Sequence, residues 1–201
     1  VPASGIDGRG KILELNSGCR ATAIQAEKFM RMNSSTEGRT FAKSYDVICI
    51  YSNLIDKTGD DKTSEDRVFE AVQEELENLV DLIKKIAAVN GNSILITSDH
   101  GFIYQHHDID ESDFSKSNYS GNVWKSNRRF VIGSSLETDD TCKSFNGEDI
   151  GLQQGVDVLI PKSINRLRVQ GAGSRFVHGG ATLQEVTIPL IKISKKREDT
   201  T

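Results

Sequence analysis

Apolar residues recur three or four apart at Phe69, Val72, Leu76, Leu79, Ile83 and Ile86, with a run of β-forming residues on either side. No other feature constrains the fold of this chain as tightly. That spacing lays one apolar stripe along an amphipathic helix between Thr63 and Val89. Thr63 with Asp66 reads as a capping pair, and Glu65 and Asp66 suit the positive helix start. Lys84 and Lys85 sit in the last turns, and Asn90-Gly91 stops the helix. The flanking runs, residues 45–51 and 93–97, read as buried strands. Strand, helix and strand make a βαβ unit, whose strands pair in parallel through a right-handed crossover. The expected class is α/β.

The remaining segments are less patterned. Residues 10–15 and 20–32 have helix-like apolar spacing, marked by Ile24, Phe29 and Met32, and Asn33-Ser34-Ser35 ends that stretch. Asp56 to Asp61 reads as an acidic loop. Residues 106–127 are polar and read as a surface excursion, and residues 134–154 again read as loop. Arg129–Gly133 reads as a strand. Residues 156–160 and 166–169 suggest a hairpin around Pro161, and Val186–Ile193 a strand whose Pro189 marks a sheet edge. The charged tail, Lys195 to Thr201, is expected to fray.

Composition excludes several classes. At 201 residues, 36% hydrophobic and 27% charged, the chain fits a soluble globular domain. A net charge of −4 argues against a surface coated for nucleic acid, while leaving room for a local basic patch. Cys19, Cys49 and Cys142 are odd in number and widely spaced, so a reducing cytoplasm is the expected compartment. No stretch reads as a signal peptide, and no apolar run is long enough to span a membrane. The chain opens on Val-Pro-Ala-Ser-Gly rather than Met, as an excised piece of a longer protein would.

The chemistry gathers at three places. The first is Thr97-Ser98-Asp99-His100-Gly101, just past the second strand. Neighbouring side chains on a strand point to opposite faces, so Asp99 and His100 converge only where the chain has left the strand, and Gly101 eases that turn. The pair is either an ordinary strand-to-loop turn or half of a site for a borderline metal such as zinc or manganese. The second place is Asp56, past the carboxyl end of the first strand. Ligands gather at the carboxyl ends of parallel strands, so Asp56 is expected on the same sheet edge as Asp99. The third is His178, in the glycine-rich stretch Gly171 to Gly180, where backbone could approach a ligand closely. Asp56, Asp99, His100 and His178 supply two carboxylates and two imidazoles, enough to begin a two-metal site for phosphoryl transfer.

Arginines 128, 129, 166, 168 and 175 concentrate in the second half. They read either as scattered, ion-paired surface charge or as a basic face for phosphate, since guanidinium grips phosphate in a bidentate fork. Arg166, Arg168 and Arg175 are the phosphate candidates. His106-His107 and Trp124 lie in polar loop sequence. The histidines read as exposed surface, and the tryptophan as an anchor for a loop or partner.

Several stretches together resemble the PglZ family, a branch of the alkaline phosphatase superfamily, and most of all its type A members from BREX phage-defence systems. They are Tyr51-Ser52-Asn53-Leu54-Ile55-Asp56 with Thr58-Gly59-Asp60-Asp61, Thr97 to Phe102, Asn127-Arg128-Arg129-Phe130, and Gly171 to Gly180 running into Leu183-Gln184-Glu185 and Pro189. The resemblance implies an alkaline phosphatase-like central, mainly parallel sheet with flanking helices, incomplete at the amino-terminal end. Residues 1–201 would form a single-domain fragment, the carboxyl-terminal part of the family's domain. Asp99 and His100 match the Asp-His pair that holds the metal beside the nucleophile, and Asp56 and His178 match ligands of the second metal. The resemblance also implies a Thr or Ser nucleophile and one further Asp from an earlier strand, upstream of these residues; Ser4 and Thr22 have no strand-end context that would serve. Ser52 stands where the family usually has histidine. The implied function is part of a metal-dependent phosphatase or phosphodiesterase with two zinc or manganese ions in the complete domain. It would act on nucleotide or nucleic-acid phosphoesters alongside other phage-defence proteins. The alternative is a scaffold or regulatory module that keeps the fold without the chemistry.

Overall fold

The computed structural model describes residues 5–115, 118–169 and 173–196. Its helices are α1 (Gly5–Ser17), α2 (Ala26–Arg31), α3 (Glu37–Ser44), α4 (Leu54–Gly59), α5 (Val68–Ala88) and α6 (Leu183–Val186). Its strands are β1 (Ala21–Gln25), β2 (Val47–Tyr51), β3 (Ser93–Thr97), β4 (Ile103–Tyr104), β5 (Phe114–Ser115), β6 (Tyr119–Ser126), β7 (Val131–Thr138), β8 (Cys142–Asn146), β9 (Asp157–Pro161), β10 (Arg166–Leu167), β11 (Phe176–Val177) and β12 (Leu190–Ser194). Among the described residues, 5–55, 70–96 and 190–196 form one compact unit, and 56–69 with 97–189 a second.

In the first unit, β1 and β2 pair in parallel from Ala21↔Val47 to Gln25↔Tyr51. Arg20 locks the start of this ladder. Its guanidinium grips Asp46 at 2.8 and 3.0 Å, and its carbonyl accepts the N–H groups of Asp46 and Val47. Helix α1 lies against β1 at Gly10, where a Cβ would stand 3.1 Å from the Ala23 nitrogen. The core here is Ile24, Phe29 and Val89, packed by Met32, Phe41, Ile48, Ile50, Leu82 and Ile86. Helix α5 ends as expected: Asn90 adopts the left-handed conformation at φ 74°, and the Gly91 N–H closes on the Ile86 carbonyl at 2.8 Å.

Around the second core, Val131, Leu136, Cys142, Leu159 and Leu167, runs a four-stranded antiparallel sheet in the order β6-β7-β9-β8. Two short ladders accompany it: β4 with β11, antiparallel, and β5 with β10, parallel.

The chain is thus mixed α/β, as expected, but its sheets are small. A large central parallel sheet is not present among the described residues. Strand β3 pairs with β12, whereas β2 pairs with β1, so the two strands flanking α5 are not ladder neighbours here. Residues 21–25 are strand, not helix; the helix-like spacing of Ile24, Phe29 and Met32 arises because a strand and a helix feed one core. Asp56 lies on α4 rather than in a loop. The 106–127 excursion contains β5 and β6, and the 134–154 loop holds most of β7 and all of β8. Their polar composition reflects strands with much exposed side-chain surface, β6 above all. Residues 157–161 pair with β7 and β8, and 166–167 with β5, so the hairpin around Pro161 does not form. Residues 183–186 are helix, and Pro189 precedes β12 instead of interrupting a strand. The Thr63–Asp66 cap does not form: Asp61 accepts from the Thr63 N–H and hydroxyl at 2.8 and 2.7 Å, and the chain enters α5 through a 3-10 turn at Glu65–Arg67. Phe69 and Leu76 of the stripe stay exposed. Ser4, Gly171, Ala172 and the tail beyond Lys196 lie outside the described residues.

Candidate metal centre

Three side chains from three parts of the second unit converge. Asp56 projects from the first turn of α4, His100 follows the end of β3, and His178 follows β11. The β4–β11 ladder explains the meeting of the histidines. Its pairs Phe176↔Tyr104 and Val177↔Ile103 run antiparallel, so the residue just after β11 is brought back beside the segment just before β4. The imidazoles stack with centroids 4.0 Å apart and planes 3° from parallel. Behind them, Phe176 packs on Phe102 at 4.7 Å and edge-on against His178.

One ligand atom each from Asp56, His100 and His178 lies within 4.8 Å of the other two. His100 Nε2 stands 3.6 Å from Asp56 Oδ2. Donors around a tetrahedral zinc ion are roughly 3.4 Å apart, so the trio is near the size of a zinc site, and the stacked rings must tilt apart for both in-plane lone pairs to meet one ion. His100 Nδ1 lies 3.1 Å from the Gly101 carbonyl. A proton on Nδ1 satisfies that contact and leaves the Nε2 lone pair for an ion, the usual outer-shell arrangement of a metal histidine. Burial pushes the Asp56 carboxyl up; the nearby histidines oppose this, and Asp60 and Asp99 reinforce it. A partly buried carboxylate crowded by two others is what a bound cation would relieve.

Asp99 is placed differently from its neighbour. It lies 3.8 Å from His100 Nε2, but its side chain is 83% exposed and outside the converging trio. Asp60 was not singled out from the sequence, yet it comes within 3.3 Å of His178 Nε2. The signal was available: residues four apart share a helix face, and the Asp60 N–H bonds to the Asp56 carbonyl at 2.8 Å. Reading Asp56 to Asp61 as loop hid it. His106 and His107 are exposed, as expected.

Of the phosphate candidates, Arg166 is fully buried. Its guanidinium donates to the backbone carbonyls of Ile164, Ser174 and Arg175, which gives it a structural task. Burial, helped by the charge of Arg129, pushes it down to about 10, so it stays charged at neutral pH. Arg168 pairs with Glu111 and lies over the Phe114 ring, and Arg175 pairs with Asp108 at 2.5 Å.

Buried charge also holds the stretch that leads into His178. One carboxylate oxygen of Glu65 accepts the N–H groups of Ser174, Arg175 and Phe176 at 2.9, 3.0 and 3.4 Å. Arg128 donates to the carbonyls of Gly173, Leu167 and Val169. On the other side of His178, Arg129 and Glu185 form a bidentate pair at 2.8 and 2.9 Å with both side chains fully buried. Arg129 also donates to the carbonyls of Ser163 and Asn165. Glu185 accepts from the Gly180 N–H at 2.9 Å and the Thr182 hydroxyl at 2.8 Å, and from the Thr182 N–H at 3.2 Å, which closes a capping box on α6. The sequence contained these residues but offered no sign of their pairing, which spans 56 positions.

Residues 1–193 match the family described as the BREX system PglZ alkaline phosphatase-like domain. The chain is 37% identical over 196 residues to the alkaline phosphatase-like protein BrxZ of Escherichia coli O9:H4 (strain HS), covering 96% of this chain and 22% of that protein. It is 36% identical over 179 residues to the alkaline phosphatase-like protein PglZ of Bacillus cereus (strain H3081.97), covering 88% of this chain and 21% of that protein. The chain thus spans about a fifth of the length of these curated relatives.

Proposed function

This chain belongs to the PglZ family of BREX-system alkaline phosphatase-like domains, and from that premise we propose that it contributes part of a metal-dependent phosphoester hydrolase site used in phage defence. The observation that carries this reading is the convergence of Asp56, His100 and His178. A bound divalent ion, zinc or manganese, would supply Lewis-acid stabilisation of a phosphoryl oxygen. The chain's own part is to present the Asp56 carboxylate and the two imidazoles, with Asp60 and Asp99 at the rim. The Gly101 carbonyl orients His100, and Phe102 and Phe176 keep water from the far side of the rings. Arg168 and Arg175 would meet substrate phosphates only by leaving exposed ion pairs, which hold them weakly. Nucleotides or nucleic acid are the proposed substrates, other defence-system proteins the partners, and the cytoplasm the compartment. No helix among the described residues is long and apolar enough to cross a membrane. In the complete domain we place β3 in a central, mainly parallel sheet and the nucleophile on a segment other than this one.

The test is metal content and phosphodiester turnover of the full-length protein, beside its Asp56→Ala and His178→Ala variants. Loss of metal and turnover together supports the reading. Unchanged metal content in both variants overturns it. The chain on its own is expected to show no turnover, because covalent catalysis without its nucleophile loses several orders of magnitude. Ser52, where the family usually has histidine, favours a second reading, a scaffold that binds partners without catalysis. Absence of metal and of turnover in the full-length protein would support it.

A further inference from the structure

The two histidines come from segments 78 positions apart, yet their rings stack face to face. One residue touches the backbone beside both. The Glu185 main-chain carbonyl accepts the Gly101 N–H at 2.8 Å, one residue past His100. The Glu185 carboxylate accepts the Gly180 N–H at 2.9 Å, two residues past His178. Both glycines are fitted to this close approach. A Cβ at Gly101 would stand 2.1 Å from the Gln184 carbonyl, and one at Gly180 would stand 2.7 Å from both Arg129 and the Glu185 carboxylate. Gly179, at φ 93°, is pressed on the Phe130 ring, where a Cβ would come within 2.9 Å.

We propose that Glu185, held by Arg129, is the positioning residue that sets the distance between His100 and His178. This rests on the metal-site reading above and says what maintains that site. The carboxylate has only a few orientations in which it can meet Arg129, Thr182 and Gly180 at once. Arg129 has only one fork, and its remaining donors are fixed on the carbonyls of Ser163 and Asn165. The pair therefore fixes α6 relative to the chain at 127–131. The backbone of α6 then fixes the His100 turn, and its carboxylate fixes the His178 loop. Residues in such outer shells commonly change metal affinity 10- to 100-fold without touching the ion.

Removing one charge alone would strand the other, so the test uses two double variants that remove both. Arg129→Met with Glu185→Gln keeps a side-chain carbonyl facing the Gly180 N–H. Arg129→Met with Glu185→Leu does not. Thermal unfolding establishes that both are folded, and calorimetric titration with zinc and with manganese measures affinity. The expected result is a loss of about 10- to 100-fold for the Leu variant and a clearly smaller loss for the Gln variant, which lacks Arg129 but keeps the Gly180 contact. Equal affinity in the two variants overturns the proposal, since a purely structural pair would not tell them apart. Amide hydrogen exchange at Gly101 and Gly180 provides a readout that needs no metal. Exchange rising at both amides, and more in the Leu variant than in the Gln variant, supports the bridge. Exchange rising at Gly180 alone overturns it. A native chain that binds neither ion defeats the metal-site reading, while the exchange measurement still decides the bridge.

Discussion

Gly59→Ala is the most informative single substitution in this chain. Gly59 is buried at the end of α4, and a Cβ there would stand 2.4 to 2.6 Å from three ring atoms of Phe176. That ring is 3% exposed and wedged against Phe102 and His178, so it has nowhere to swing. Two effects compete. Alanine is the better helix former, by about 0.5–1 kcal/mol. Overpacking a filled site costs about 1–3 kcal/mol. The contact is below any normal carbon–carbon separation and the obstacle is a rigid ring, so overpacking wins, with a net loss of about 1–2 kcal/mol. At a typical urea dependence of about 2 kcal/mol/M, the unfolding midpoint falls by roughly 0.5–1 M. Pushing α4 off Phe176 also carries Asp56 and Asp60 away from the histidines, so zinc affinity falls in the same variant. Adding Phe176→Leu should restore part of both losses, as expected of side chains in direct contact. A Gly59→Ala midpoint at or above that of the native chain would refute this reasoning, because the propensity gain would then have gone unopposed.

Two further outcomes follow from named contacts and a third from the family resemblance. Glu65→Ala strands three backbone N–H groups and should destabilise by at least about 2 kcal/mol, read by urea unfolding, with faster amide exchange at Ser174 to Phe176. Burial pushes the Glu185 carboxyl up, but hydrogen bonds from Arg129, Thr182 and Gly180 outweigh it and hold it below the ordinary glutamate value of 4.5. Its stabilisation is thus complete above about pH 4.5 and lost as pH falls through the lower folded value. Stability of the native chain should drop more steeply below pH 4.5 than that of the Arg129→Met, Glu185→Leu variant. Ser52→His should strengthen zinc binding in calorimetric titration, since imidazole is a far better zinc ligand than a hydroxyl; equal affinities would mean that residue 52 takes no part in the site.

What the sequence disclosed depended on how far apart the interacting residues are. The β2, α5 and β3 segments were legible because their patterns are local: β-branched runs, a stripe with helical spacing, and an Asn-Gly stop. Strands β6 and β8 were not, because so much of their side-chain surface faces water that polar sequence is compatible with strand. The phosphate role expected of Arg166 illustrates a different blindness. An arginine looks like surface until its partners are known, and here they are carbonyls of residues without regular secondary structure. His100 could be suspected from its own turn. Its stacking on His178 needed a two-residue ladder that no periodicity announces. Residue type and position group Asp56 and His178 with Asp99 and His100, and only the family resemblance assigns the two to one metal.

The clasp of Glu65, Arg128 and Arg166 on residues 173–176 bears on how this segment comes apart. A surface loop ordinarily opens piecemeal, one peptide group at a time, and is nicked early by proteases. Here a single carboxylate binds three successive amides, and two guanidiniums hold carbonyls on the same stretch. Releasing any one of these residues loosens the partner shared with the others, so the segment should let go as a block or not at all. Limited proteolysis would find it as resistant as a strand, and opening it would be a cooperative event that takes the His178 loop with it.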